Sequence, residues 1–102
     1  MTYIAKINDT TIAESDDTIK IEGNEYFPPE SLASDLFTDS QTAYHCPWKG
    51  DAQYFHVTIE GETYEDAAWS YPTPPAEAIE KVGEDFSDYA AFDETQAEVL
   101  SA

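Results

Sequence analysis

The first half of the chain is a series of short alternating runs broken by turn residues. Tyr3 to Ile7 stops at Asn8-Asp9, and Thr11 to Glu14 stops at Asp16-Asp17. Thr18 to Glu22 sets Ile19 and Ile21 against Lys20 and Glu22 before Gly23-Asn24. A period of two bounded by Asn, Asp and Gly predicts strands joined as a meander of hairpins, with Asp16-Asp17 as one of the hairpin turns. Glu25-Tyr26-Phe27 predicts another short strand, which Pro28-Pro29 ends because proline has no amide to donate to a sheet. Pro29 is suited to open a single helical turn through Glu30 to Ala33, with Leu32, Leu36 and Phe37 on its buried side.

The second half alternates more strongly. Gln41 to His45 predicts a strand, and Ala52 to Glu60 is the clearest one in the chain. In it Tyr54, His56, Thr58 and Glu60 fall on one face, and Phe55, Val57 and Ile59 on the other. Gly50 and Gly61 bracket that strand as turns. Thr63 to Tyr71 predicts a further strand or extended arm, and Pro72-Thr73-Pro74-Pro75 a rigid extended link. Ala76 to Val82 has helical composition and ends at Gly83, the residue that best accepts the left-handed position after a helix. Tyr89 to Phe92 returns to strand, and the last residues add another or fray. The pattern predicts one all-β domain over residues 1–102 with one or two short helical turns and no internal repeat.

A chain of 102 residues builds one modest core, burying roughly 60–70 % of the surface its unfolded form exposes. Seven Tyr, five Phe and two Trp supply much of it, because each ring buries a large area and a tyrosine hydroxyl can stay at the edge. Twenty-two Asp and Glu against four Lys or Arg give a formal charge of −18. Nucleic acid and anionic membrane surfaces are poor partners for such a chain, since both are bound through Lys and Arg. The first reading of the charge is a solvated, self-repelling surface, as in adaptation to a salty interior; a functional acidic face that meets a basic partner is the second. A single cysteine excludes an internal disulfide. With no basic-then-apolar leader and no apolar run of membrane-spanning length, a soluble cytoplasmic setting is expected.

Against this background Cys46-Pro47-Trp48-Lys49-Gly50 stands out. It holds the only cysteine, one of two tryptophans and one of the lysines, and the block from Ser40 to Ile59 around it contains one acid, Asp51, and one base, Lys49. Together with Ile12-Ala13-Glu14-Ser15, Glu22 to Pro28, Ala52 and Tyr54, Ala68-Trp69-Ser70-Tyr71-Pro72 and Ala91-Phe92, this motif resembles the family called domain of unknown function 427, sometimes filed under a nucleotidyltransferase-like label. The resemblance covers nearly the whole chain. It implies coiled antiparallel sheets similar to the Mss4-like or β-tent group, and it implies no known activity. The paired CxxC motifs with which many β-tent relatives hold zinc have no counterpart here. Ser15-Asp16-Asp17 is not the Gly-Ser and Asp-x-Asp pattern of polymerase-type nucleotidyltransferases.

Two chemistries compete at each residue of the motif. Cys46 is a candidate nucleophile, its pKa lowered by Lys49 and assisted by His45 or His56, or else a small apolar residue packed beneath Trp48. Lys49 is held by a carboxylate, for which Glu14 is the candidate because its segment recurs with the motif in the family, or is kept for an anionic ligand near Gly50. Trp48, Tyr54, Trp69 and Tyr71, with Tyr26, line an aromatic cleft or form the core of a small domain. His45, Cys46 and His56 lack metal-ligand spacing, so neither a metal nor a cofactor is expected. The leading expectation is a domain that binds a small molecule or peptide at Glu14, Tyr26, Cys46, Trp48, Lys49, Tyr54, Trp69 and Tyr71. The alternatives are a thiol- or lysine-dependent transferase or hydrolase at the same place, and an acidic protein-interaction module. Oligomeric state is not legible.

Overall fold

The computed structural model describes residues 1–102. Nine strands, one α-helix and two single 3-10 turns follow in the order β1 Tyr3–Ile7, β2 Thr10–Ser15, β3 Ile19–Ile21, β4 Asn24–Tyr26, turns at Pro29–Ser31 and Ser34–Leu36, β5 Phe37–Cys46, β6 Gly50–Ile59, β7 Glu62–Ser70, α1 Ala76–Val82, β8 Ala90–Phe92 and β9 Glu98–Ser101. The fold is all-β, with antiparallel pairing throughout. No helix is long and apolar enough to cross a membrane.

The strands sort into three sheets, ordered β2-β1-β9, β3-β4 and β5-β6-β7-β8. This corrects the expected meander: β2 and β3 do not pair. Asp16-Asp17 crosses between sheets instead of turning a hairpin, and it is held by Thr2, whose hydroxyl donates to Asp16, and by Ser15, whose Oγ accepts the Asp17 N–H at 2.9 Å. The chain's last residues form a strand because β1 offers them its free edge. The β3–β4 hairpin is tied to the large sheet just past its end, where Phe27 N–H donates to Ala90 O at 2.7 Å and Ala90 N–H to Phe27 O at 2.9 Å.

Because side chains alternate across a strand, the large sheet feeds two cores. Ala68 and Phe92 lie opposite each other and join Val57, Ile59 and Phe27 in a cluster with Ala5, Ile7 and Ile12 of β1 and β2. Trp69 and Ala91, also opposite each other, pack in a second cluster with Ile19, Ile21 and Tyr26 of the hairpin, Ala78 of α1, Phe86, Cys46 and Tyr71. Phe55, Val57 and Ile59 share the first cluster, as the alternation of β6 predicts.

The strand β5 begins four residues before the expected Gln41. Phe37 is not on a helix: it opens the strand and packs edge-on against Phe55 and Phe92, with ring centroids 6.1 and 6.2 Å apart. The alternation is hidden there by a bulge between Asp39 and Ala43, and a second register shift lies across β6, between Phe55 and Val57. Asp66 sits in that second bulge at φ 52, its Oδ2 accepting from Thr42 at 2.7 Å and its N–H donating to His56 Nδ1 at 3.1 Å. The helix α1 follows its prediction residue for residue. Pro75 precedes its first turn, and Gly83, at φ 93, closes it by donating its N–H to Ile79 O at 2.8 Å.

Candidate functional site

The motif is a hairpin loop. Cys46 ends β5, Gly50 opens β6 opposite it, and Pro47, Trp48 and Lys49 span the turn. Gly50 has φ 95, the left-handed position that commonly closes a three-residue hairpin loop. A Cβ there would also lie 3.4 Å from the Thr73 carbonyl oxygen and 3.5 Å from Pro75 Cδ, so the Pro-rich link packs closely on the turn. The loop thereby turns Cys46 and Lys49 inward and leaves Trp48 half-buried at the surface.

Lys49 is only 6 % exposed. Its ammonium lies 4.9 Å from the centroid of Tyr71, 5.4 Å from that of Trp48 and 5.9 Å from that of Tyr26, and it is bonded to the carboxylate of Glu22. Burial acts to lower its pKa, but the hydrogen bond to Glu22 and the Tyr26 and Tyr71 phenols outweigh burial and hold the group above the ordinary lysine value. Glu22 shifts in the matching direction. The hydrogen bond from Lys49 lowers it, against a smaller effect of burial, and the Trp48 indole and the Lys81 charge add to the lowering. Burial pushes Tyr71 up to about 12, partly opposed by Lys49. Lys49 is therefore a buried cation in a box of three aromatic rings, closed by one carboxylate at the surface.

Glu22 reaches the lysine because of its backbone. Ile21 pairs with Asn24, and the two residues between them, Glu22 at φ 53 and Gly23 at φ 87, both have positive φ, the signature of a type I′ hairpin turn. Glutamate rarely accepts that conformation. Glu14, the expected partner, is not near the lysine. It is exposed on β2 opposite Ile4, in the sheet that covers the other core.

The remaining expected site residues do come together. Tyr26 and Tyr71 stack at a tilt with centroids 6.5 Å apart, the Trp69 indole N–H donates to the Tyr26 hydroxyl at 3.1 Å, and Tyr54 lies 6.1 Å from Trp69. Cys46 is buried in the same cluster, 6 % exposed. Neither histidine is committed to it: His45 is exposed and bonded to Asp51 at 2.8 Å, and His56 is held in the bulge by Asp66. No group of three or more His, Cys, Asp or Glu is placed to hold a metal ion.

Two residues outside the expected site complete it. Glu22 was expected to end a strand before a Gly23-Asn24 turn; instead β3 ends at Ile21 and Glu22-Gly23 make the turn, which brings the carboxylate to Lys49. Lys81, in the last turn of α1, sets its ammonium 4.5 Å from the Trp48 centroid and makes no ion pair. Its scarcity value, as one of four cations, was the available signal. Beside it, Pro47, Trp48, Pro75, Glu77, Ala78 and Lys81 line an open groove of about 400 Å³.

The fold and this box of rings define a small all-β domain built around a sequestered lysine of a CPWKG hairpin. The family model NTP_transf_9, described as a domain of unknown function (DUF427), matches residues 3–101, and the chain belongs to that family. No curated protein matches the chain.

Proposed function

We propose that the protein is a binding domain whose ligand, a small molecule or a peptide side chain with a flat apolar face, lies on Trp48 in the groove between the CPWKG loop and α1. The observation that carries this reading is the state of Trp48. Its ring is fixed from within by the Lys49 box, yet it borders an open groove whose volume falls in the range of small-ligand sites. Pro47, Pro75 and Ala78 give that groove apolar walls, and Glu77 and Lys81 give it one charge of each sign. Tyr26, Cys46, Lys49, Tyr54, Trp69 and Tyr71 act behind this surface by holding the tryptophan in place. Glu14 has no part in it.

A thiol- or lysine-dependent reaction is the weaker reading. A nucleophilic amine must lose its proton, and the surroundings of Lys49 hold that proton more firmly than water does. The Cys46 thiol is covered. The binding reading is tested by melting the protein against a panel of small molecules and short peptides, since a ligand of the folded state raises its stability by mass action. True ligands should lose their effect in Trp48→Phe combined with Lys81→Ala. Equal shifts in wild type and this variant, or no shift across the panel, would sink the proposal.

A further inference from the structure

A second cavity, of about 160 Å³, lies where the β3–β4 hairpin meets β1 and β9, away from the CPWKG loop. It is lined by Tyr3, Gly23, Asn24, Glu25, Phe92, Glu94 and Val99. Glu25 is the unusual member. Tyr26, the next residue of β4, packs into the second core, so Glu25 points to the opposite face, where Tyr3, Phe92 and Val99 belong to the first. Its side chain is only 10 % exposed. Burying a carboxylate is costly unless it is paired and hydrogen-bonded. Here Oε1 accepts from Thr18 Oγ1 at 2.8 Å, while Oε2 has no hydrogen bond within the protein, stays open to solvent and meets the solvent-exposed Lys20 ammonium at 4.0 Å. One carboxylate oxygen is held by the protein and the other is left to solvent, and the cavity opens beside them.

From this juxtaposition we infer that the cavity is a binding site for a small primary alkylammonium ion. The ammonium completes the hydrogen bonding of Glu25 Oε2, with Glu94 as a second, exposed negative charge, and the alkyl chain lies against Tyr3, Phe92 and Val99. Size fits the class: a cavity of about 150 Å³ holds one benzene molecule, so a short alkyl chain is accommodated. The sign of charge fits as well. A molecule with a formal charge of −18 concentrates cations and repels anions over its whole surface. Lys20 approaches the same oxygen from solvent, so it competes with the ligand.

The test is a titration of the full chain with propylammonium at low ionic strength, followed by amide NMR shifts of Tyr3, Asn24, Glu25 and Val99. 1-Propanol, which has the same number of heavy atoms and no charge, is the control. Saturable shifts with propylammonium and none with propanol are expected. Glu25→Gln keeps the acceptor for Thr18 and the shape of the side chain, and should weaken binding by about tenfold or more by removing a charge-assisted hydrogen bond. Val99→Phe fills the cavity from β9 and should abolish binding with Glu25 intact. Lys20→Met should tighten it. Absence of saturation in the wild type, equal affinity in Glu25→Gln, or equal binding of propanol, which would mark an apolar hole only, overturns the assignment.

Discussion

The Lys49–Glu22 pair can be weighed with an internal control that the fold provides. Glu60-Gly61 joins β6 to β7 as Glu22-Gly23 joins β3 to β4, with φ 50 and 83 against 53 and 87. Both turns force a glutamate into the left-handed region, but Glu60 is exposed and makes no ion pair, whereas Glu22 closes the Lys49 box. Asparagine tolerates this conformation, so Glu60→Asn should recover about 0.5–1 kcal/mol of the roughly 1–2 kcal/mol left-handed penalty. Glu22→Asn gains the same backbone term and loses the carboxylate. An exposed pair contributes about 0–1 kcal/mol and breaking a buried one costs about 3–5. The lysine is buried while the Glu22 side chain is 54 % exposed, so water partly replaces it; the loss should then be about 1.5–2.5 kcal/mol. The net expectation is stabilisation by Glu60→Asn and destabilisation by about 1 kcal/mol for Glu22→Asn. Urea denaturation with unchanged m values reads both. In a Lys49→Met background Glu22→Asn should become stabilising, by the same amount as Glu60→Asn. If Glu22→Asn stabilises the wild type as much as Glu60→Asn does, the pair does not hold the box and the reasoning fails.

Four further outcomes follow from the same geometry. Lys49→Met keeps the volume among the rings and removes a buried charge, so it should lie within about 1.5 kcal/mol of wild type, whereas Lys49→Ala should lose about 2–4 kcal/mol to the cavity it leaves; equal losses would refute the packing account. Lys49 and Tyr71 both bind their protons more tightly in the folded state, against ordinary values of 10.5 and 10.0, so their contributions are fully present at neutral pH and are lost as pH rises above about 10. Urea midpoints should fall between about pH 10 and 12, less steeply in Tyr71→Phe, and a flat profile would contradict the sign. Cys46 should resist iodoacetamide at pH 8 in the native protein and react fully in urea, and rapid native labelling would reopen the thiol chemistry. Asp66→Ala should cost about 1–2 kcal/mol more than Asp66→Asn by thermal melting, since alanine loses both the Thr42 bond and the tolerance for φ 52.

What the sequence revealed was local. The helix α1 was legible to the residue because its start and stop lie in its own neighbours, Pro75 and Gly83. The two faces of β6 were legible because five consecutive alternations leave only one way to bury Phe55, Val57 and Ile59. The separation of β3 from β2, and the seating of the β3–β4 hairpin beside β8 through the Phe27–Ala90 bridge, depend on contacts with the far end of the chain. No run of residues near Asp16-Asp17 encodes that. Phe37 looked helical because the bulge after Asp39 breaks the period that would have marked it as strand. At the site, an ammonium in a nearly cation-free block announced a paired or ligand-bound lysine. The choice between Glu14 and Glu22 turned on which hairpin folds over the CPWKG loop, and that is tertiary information.

The buried lysine also explains how the surface of the loop divides into separate tasks. A half-exposed tryptophan on a three-residue turn has freedom that a binding surface must remove, because ordering it on association weakens affinity. In this protein that order is present beforehand. Lys49 attracts the Trp48 ring from within, Glu22 fixes Lys49 from the neighbouring hairpin, and Tyr26 and Tyr71 close the remaining sides. Lys81, by contrast, touches the same ring from an exposed helix with no carboxylate to hold it, and can leave at little cost. The two cations on Trp48 should thus separate experimentally. Changes at Lys49 or Glu22 should first lower the urea midpoint and only then, through the tilt of Trp48, weaken ligands of the groove. Changes at Lys81 should alter those ligands at constant stability. If Lys81→Ala lowers the midpoint as much as Glu22→Gln does, the outer lysine is part of the framework, and the groove loses the free charge on which its selectivity rests.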